Sequence, residues 1–285
     1  MTSTTQPHDL AILAPLFRQA AILAGRAIME IYEQTSMNIH MKTDGSPVTM
    51  ADHRADEIIR DLLHANLPNL CQVSEERLED VPLHLPDEFV LIDPLDGTKE
   101  FINRRDEFTV NLGFVKEGKP LVGCVFVPAW RELFLTTSDG KATREILPPD
   151  WRASDNVILS GMTQAQIITC RDDHQIAETG LIAVGSRSHR DPQTHKLLTQ
   201  LHAQHIKSYG SSLKFCMIAA GQADIYPRFA PTMQWDTAAA HAIVNAAGGL
   251  VSHVDGQGEL RYGGPSWRNP YFVASSACVA WQEAM

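Results

Sequence analysis

Four consecutive apolar residues, Phe89, Val90, Leu91 and Ile92, run straight into Asp93-Pro94-Leu95-Asp96-Gly97-Thr98-Lys99. A short continuous apolar run is the pattern of a strand covered on both faces, so the chain must supply a layer on each side of a sheet. It must also supply a partner for Asp93, because an uncompensated carboxylate at the end of a buried strand is costly. Fold and chemistry are constrained at the same place.

The flanking sequence supplies the layers. Leu10, Leu13, Ala14, Phe17, Ala20, Ala21, Ala24 and Ile28 recur at helical spacing within residues 9–34, with Asp9 placed to cap the helix. A turn-rich KTDGSPVT leads into a second amphipathic helix from Met50 to Asn66, which Pro68 closes. Strands are expected at 71–74, 88–93, 108–115, 120–128 and 132–137, with Glu117-Gly118-Lys119 as a hairpin turn. An antiparallel meander behind two helices is an α+β arrangement. Residues 138–180, with Pro148-Pro149 and few apolar runs, read as a connection and an irregular excursion. From LIAVGS onward strands alternate with helices, at 191–204, Ser211 to Ala220 and Asp236 to Ala247, and GGLVSHV closes the series. The expected division is an α+β half over 1–150, carrying most of the metal ligands, and an α/β half over 151–285, carrying substrate recognition.

Composition removes several classes. The chain of 285 residues is 44% apolar and 20% charged, as in ordinary globular proteins, and no uninterrupted apolar run approaches a membrane span. MTSTTQPHD has neither a basic segment nor an apolar one, so no secretion signal is expected and the cytoplasm is the expected compartment. Five scattered cysteines without CxxC spacing argue against a disulfide framework and a zinc site. A net charge of -10 argues against a nucleic-acid partner, and an anionic substrate would need local cations or metals to overcome it.

Asp52, Glu75, Glu76, Asp93, Asp96 and Asp236 all stand at the ends of expected elements. Singly each has an ordinary explanation: Asp93-Pro94 starts a turn, Asp236 caps a helix, Glu75 and Glu76 are solvated, and Asp52 is an exposed helix residue. The spacing in DPLDGT changes the weighing. Asp93, Asp96 and the Leu95 carbonyl between them can face one point, and Gly97 lets backbone approach a ligand. Carboxylate donors without His or Cys spacing suit Mg²⁺ or Mn²⁺. The N–H groups of Gly97 and Thr98 would add a phosphate cradle, and the combination suits phosphoryl transfer.

DPLDGTKEF and WDTAAAHAIVNAAGG resemble the paired signatures of the inositol monophosphatase superfamily of Mg²⁺-dependent, Li⁺-sensitive phosphatases. With KTDGSPVTMAD, SEE, GSRSH, GSSLKFC and YPRFAPTMQWDTAA, in family order from about residue 10 to 275, the chain is similar to the 3'(2'),5'-bisphosphate nucleotidase branch. The resemblance implies a layered αβαβα sandwich of the sugar-phosphatase type. It implies two or three Mg²⁺ ions, with Mn²⁺ as a substitute, held by Glu75, Asp93, the Leu95 carbonyl, Asp96 and Asp236. Asp52, Glu75 and Thr98 would orient and deprotonate the attacking water, and Gly97 and Thr98 N–H groups would hold the phosphate. Ser211, Lys214 and Arg228 would approach the non-scissile phosphate, and His189 the base or ribose. The plainer alternatives are a solvated Lys214 and a surface His189.

The implied reaction converts adenosine 3',5'-bisphosphate to AMP and phosphate, with 3'-phosphoadenylyl sulfate as a second substrate, in sulfur assimilation. Lys99 and Glu100 match this branch and weaken an inositol or sugar phosphatase reading, whereas Thr143–Gln166 is longer than the family pattern. A catalytically silent metal and nucleotide sensor is the alternative of another class. The expected partner is a small phosphomonoester. A homodimer is compatible with the sequence, as is peripheral attachment at the cytoplasmic face of the inner membrane, although no basic amphipathic helix supplies a mechanism for it.

Overall fold

The computed structural model describes residues 8–33, 39–41, 47–159, 165–185 and 191–285. Among them, β1 (Ile39–Met41) and β2 (Pro47–Thr49) form a small antiparallel pair. A seven-stranded sheet follows the chain in order: β3 (Cys71–Ser74), β4 (Glu88–Asp96), β5 (Thr109–Lys116), β6 (Lys119–Val127), β7 (Glu132–Thr136), β8 (Ala142–Ile146) and β9 (Gln166–Ile168). The expected all-antiparallel meander is corrected at its first step, because β3 runs parallel to β4. The connection, which opens with the 3₁₀ segment Glu75–Asp80, is long enough to return the chain to the same end of the sheet.

The second sheet comprises β10 (Ile182–Gly185), β11 (His205–Ser208), β12 (Ile225–Arg228), β13 (Gly249–His253) and β14 (Phe272–Ser276), ordered β11-β10-β12-β14-β13. β10, β11 and β12 are parallel, whereas β14 pairs antiparallel with both β12 and β13. The change of sheet falls between Ile168 and Ile182, further along the chain than residue 150.

Helices α1 (Leu10–Tyr32) and α2 (Met50–Asn66) cover one face of the seven-stranded sheet, packing Phe17, Ile28, Ile59 and Leu63 with Val90, Ile92, Leu112 and Phe126. The opposite face, with Phe89, Leu91 and Val125, meets α7 (Leu213–Ala219) and α8 (Ala238–Ala246) in one core shared with β12, β13 and β14. α6 (Pro192–Gln200) adds Leu197 and Leu198 on the far side of the five-stranded sheet against Ala183, Ile225 and Val273. The result is an αβαβα sandwich. Residues 89–92 are uniformly apolar because alternate side chains enter two different hydrophobic cores.

α1 is long and apolar enough, by length and composition, to cross a membrane, although Arg18, Gln19 and Arg26 interrupt it. Here it is core: Leu13, Phe17, Ile22 and Ile28 have no exposure. The middle layer is set by close approach. A Cβ built on Gly123 of β6 would lie 1.9 Å from the Ala239 carbonyl oxygen, so α8 can press its alanines onto the sheet only where a side chain is missing.

The stretch 138–180 is more regular than its sequence suggests. It holds β8, β9, α4 (Asn156–Leu159) and α5 (Asp173–Thr179), the last opened by an Asp172–Gln175 capping box. β8 escapes detection because it carries a buried charge: Glu145, 5% exposed, accepts two hydrogen bonds of 2.8 Å from the Arg18 guanidinium of α1. A bidentate pair satisfies both groups, which a hydrophobic pattern cannot anticipate.

Candidate active site

β4 brings Asp93 to the edge of the two cores, where it is 2% exposed and its carboxylate accepts the Leu95 N–H at 3.1 Å. The strand register then breaks between Asp93 and Asp96. Gly97 follows with φ +90°, where a Cβ would meet the Glu107 carbonyl oxygen at 3.2 Å, and α3 (Thr98–Ile102) begins. The hydroxyl of Thr98 donates to the Leu95 carbonyl at 3.3 Å.

The parallel register pairs Ser74 with Ile92, so Glu75 leaves β3 level with Asp93. Asp236 arrives from the turn preceding α8. Carboxylate oxygens of Glu75, Asp93 and Asp236 lie within 4.8 Å of one another. Asp236 does not cap α8: the helix starts after Thr237, and the Asp236 carboxylate instead accepts the Met233 N–H at 2.8 Å. Glu76 points elsewhere, to His53 at 3.3 Å, and its side chain is 4% exposed, so the two glutamates are not a solvated pair. Asp52, read as exposed when taken alone, is 3% exposed in the first turn of α2.

Burial pushes the Asp93 carboxyl well above the usual carboxylate range, and the charges of Glu75, Asp96, Asp236 and Asp52 push it further. Burial and then Asp96 do the same to Asp236, against the opposing Met233 hydrogen bond. Two like charges at this spacing repel by about 3 kcal/mol even at an effective dielectric of about 20. Such a cluster holds its charge at neutral pH only with cations among the oxygens. The donors fit a hard divalent ion: all are oxygen, and neither His nor Cys joins the trio.

Beside the trio, a cavity of about 160 Å³ is lined by Asp96, Glu100, Ser211, Lys214, Arg228 and Asp236, among others. Lys214 is not solvated: it is 6% exposed, its Nζ donates to the Ser211 and Tyr209 carbonyls, and it sits 5.3 Å from the Tyr226 ring centre. Burial draws its pKa down to about 8, opposed by the Asp96 charge. Arg228 donates to the Pro231 carbonyl at 3.2 Å, and its Nε is buried without a hydrogen-bond partner. A second, more apolar cavity of about 210 Å³ opens on the other side of Arg228, reaching His195, Leu198 and Ile206.

Ser211 lines the first cavity, but its hydroxyl donates to Asp96 at 2.6 Å and contacts the Thr109 hydroxyl. The Ser212 N–H donates to the same Asp96 oxygen at 2.8 Å, and the Ser212 hydroxyl donates to Asn111 at 2.7 Å. Thr109 and Asn111, both without exposure, carry no motif that marks them, nor does Asn269 behind the Asp236 turn. Residue His189 lies outside the described residues, as does most of KTDGSPVT.

The fold is shared with solved structures. An inositol monophosphatase from Anabaena superposes with a TM-score of 0.68 at 20% identity, covering 96% of this chain and 95% of that one. CysQ from Bacteroides thetaiotaomicron, described as a bacterial member of the inositol monophosphatase family, superposes with a TM-score of 0.77 at 35% identity, covering 93% of this chain and 97% of that one. The model of the inositol monophosphatase family matches residues 9–284, and the chain belongs to that family. Within it, the chain is 40% identical to the 3'(2'),5'-bisphosphate nucleotidase CysQ of Escherichia coli K12 over 260 residues, 90% of this chain and 97% of that protein.

Proposed function

We propose that this chain is a divalent-metal-dependent phosphoric monoester hydrolase that removes the 3'-phosphate of adenosine 3',5'-bisphosphate, giving AMP and phosphate. It would treat 3'-phosphoadenylyl sulfate in the same way, and serve sulfur assimilation in the cytoplasm. The observation that carries the reading is that Asp236, one of the Glu75–Asp93–Asp236 trio, also lines the cleft that holds Lys214 and Arg228. The carboxylates suit a scissile phosphate with its metals. The two cations suit a second phosphate, which a simple sugar phosphate lacks.

Glu75, Asp93, the Leu95 carbonyl, Asp96 and Asp236 would hold two or three Mg²⁺ ions, with Mn²⁺ as a substitute. When bound, the ions would stabilise charge on the attacking and leaving oxygens of an in-line displacement. The protein's own steps are distinct. Gly97 and Thr98 N–H groups orient the scissile phosphate. The Thr98 hydroxyl, Asp52 and Glu75 orient the attacking water, and its proton ends on a carboxylate, either Asp52 by way of Thr98 or Glu75 directly. Asp96 keeps one oxygen for a cation, because Ser211 and Ser212 hold the other.

Lys214 and Arg228 bind the non-scissile 5'-phosphate, with Ser211 completing the wall between them and Asp96. The apolar cavity beyond Arg228 has room for a base. The division of labour is then between a half over 1–150 that carries most of the metal ligands and a half over 151–285 that selects the nucleotide and adds Asp236.

Purified protein with Mg²⁺ should release phosphate from adenosine 3',5'-bisphosphate with a kcat/KM at least about a hundredfold above that for inositol 1-phosphate. Equal values would return the chain to a sugar phosphatase reading. Binding without phosphate release from any phosphomonoester would favour a sensor.

A further inference from the structure

Asp236 stands in a turn, not in a helix or strand, yet its carboxylate must keep station opposite Glu75 and Asp93. Met233 grips it at both ends: its N–H donates to the Asp236 carboxylate at 2.8 Å, and its carbonyl accepts the Asp236 N–H at 3.2 Å. Met233 is in turn held from behind by Asn269, a residue 5% exposed in the segment before β14.

The two hydrogens of the Asn269 amide Nδ2 are shared among three acceptors, the Met233 carbonyl at 2.7 Å, the Thr237 hydroxyl at 3.0 Å and the Thr232 hydroxyl at 3.1 Å. Its backbone N–H adds a bond to the Thr232 carbonyl at 2.9 Å. One buried side chain therefore ties the start, middle and end of the turn that presents Asp236. The carboxylates of the trio repel one another, so an unheld turn would relax by swinging Asp236 away.

We propose that Asn269 is a positioning residue for divalent-cation binding: by clamping the turn Thr232–Thr237 it keeps Asp236 facing Glu75 and Asp93 before any cation arrives. This rests on the reading of the trio as a metal site. Removing the clamp should weaken cation binding more than nucleotide recognition, because Lys214 and Arg228 stand on α7 and β12 and share with the turn only the cavity that Thr232 and Thr237 also line.

The test is calorimetric titration of Mg²⁺ into substrate-free protein, for wild type, Asn269→Leu, Asn269→Asp and Asp236→Asn. Leucine is close in size and lacks the donors; aspartate keeps the shape but turns acceptors toward the Met233 carbonyl. Expected is a Kd raised tenfold or more in both Asn269 variants, with KM for the bisphosphonucleotide within twofold of wild type at saturating Mg²⁺. Wild-type Kd in either folded Asn269 variant would overturn the inference, while loss of binding in Asp236→Asn keeps the metal site itself intact as a reading. Wild-type binding by Asp236→Asn would overturn both. If Asn269→Leu fails to fold, Asn269→Asp decides.

Discussion

Ser211 donates its hydroxyl to Asp96 at 2.6 Å, so a residue at the entrance of α7 fixes a carboxylate at the end of β4. The backbone N–H of Ser212 reinforces it on the same oxygen at 2.8 Å. Hydrogen bonds to a charged acceptor are each worth about 1.5–3 kcal/mol, enough to select one rotamer of Asp96. The chemistry-bearing sheet is thereby joined to the helix that carries Lys214.

Asp96→Asn should weaken Mg²⁺ binding and lower kcat by at least about a thousandfold, because it removes a full charge from the proposed metal-binding set. Thr98→Ala should lower kcat while leaving KM near wild type, since the role proposed for the hydroxyl is on the attacking water and not in ground-state binding. Steady-state kinetics with a Mg²⁺ titration separates the two, and unchanged turnover in Asp96→Asn would sink the metal assignment.

Arg228→Ala should raise KM for adenosine 3',5'-bisphosphate on the order of tenfold or more, the scale of one lost charge-assisted hydrogen bond. A phosphomonoester without the second phosphate should be almost unaffected. Equal changes for both substrates would remove Arg228 from phosphate selection.

Gly123→Ala should destabilise the fold by about 1–3 kcal/mol, the usual cost of overpacking. The added Cβ would lie 1.9 Å from the Ala239 carbonyl oxygen, and backbone has to move to accommodate it. Urea denaturation gives the number. A midpoint equal to wild type would mean that α8 does not seat against β6 as described.

Acid should expose a second, separate group. The hydrogen bond from His241 holds the Glu259 carboxyl down to about 2, against its partial burial and with help from Asn245. The unfolded chain therefore binds more protons than the folded one between this value and the ordinary 4.5. The pair's stabilisation is complete above pH 4.5 and disappears as pH falls toward 2. Glu259→Gln should flatten the dependence of the urea midpoint on pH across that window, and an unchanged slope would rule the pair out as a contributor.

DPLDGT and WDTAA announced a carboxylate site, and the uniform apolarity of residues 89–92 announced layers on both sides of a sheet. Those features are legible because they are local: a tight turn, a run of one residue type, a strand ended by charge. The parallel pairing of β3 with β4, which sets Glu75 level with Asp93 and turns Glu76 toward His53, is not local. Nor are β14, slotted between β12 and β13, and β8, whose Glu145 is made tolerable by Arg18 from a distant helix. Thr109, Asn111 and Asn269 are as inconspicuous in sequence as any buried polar residue, since their work consists of hydrogen bonds to partners far along the chain. The amino-acid sequence alone determined which groups could do the chemistry, because charge and hard-oxygen donors are properties of residue type. Only the tertiary structure decided which carboxylates meet, because like charges approach within 4.8 Å only where packing holds their backbones there.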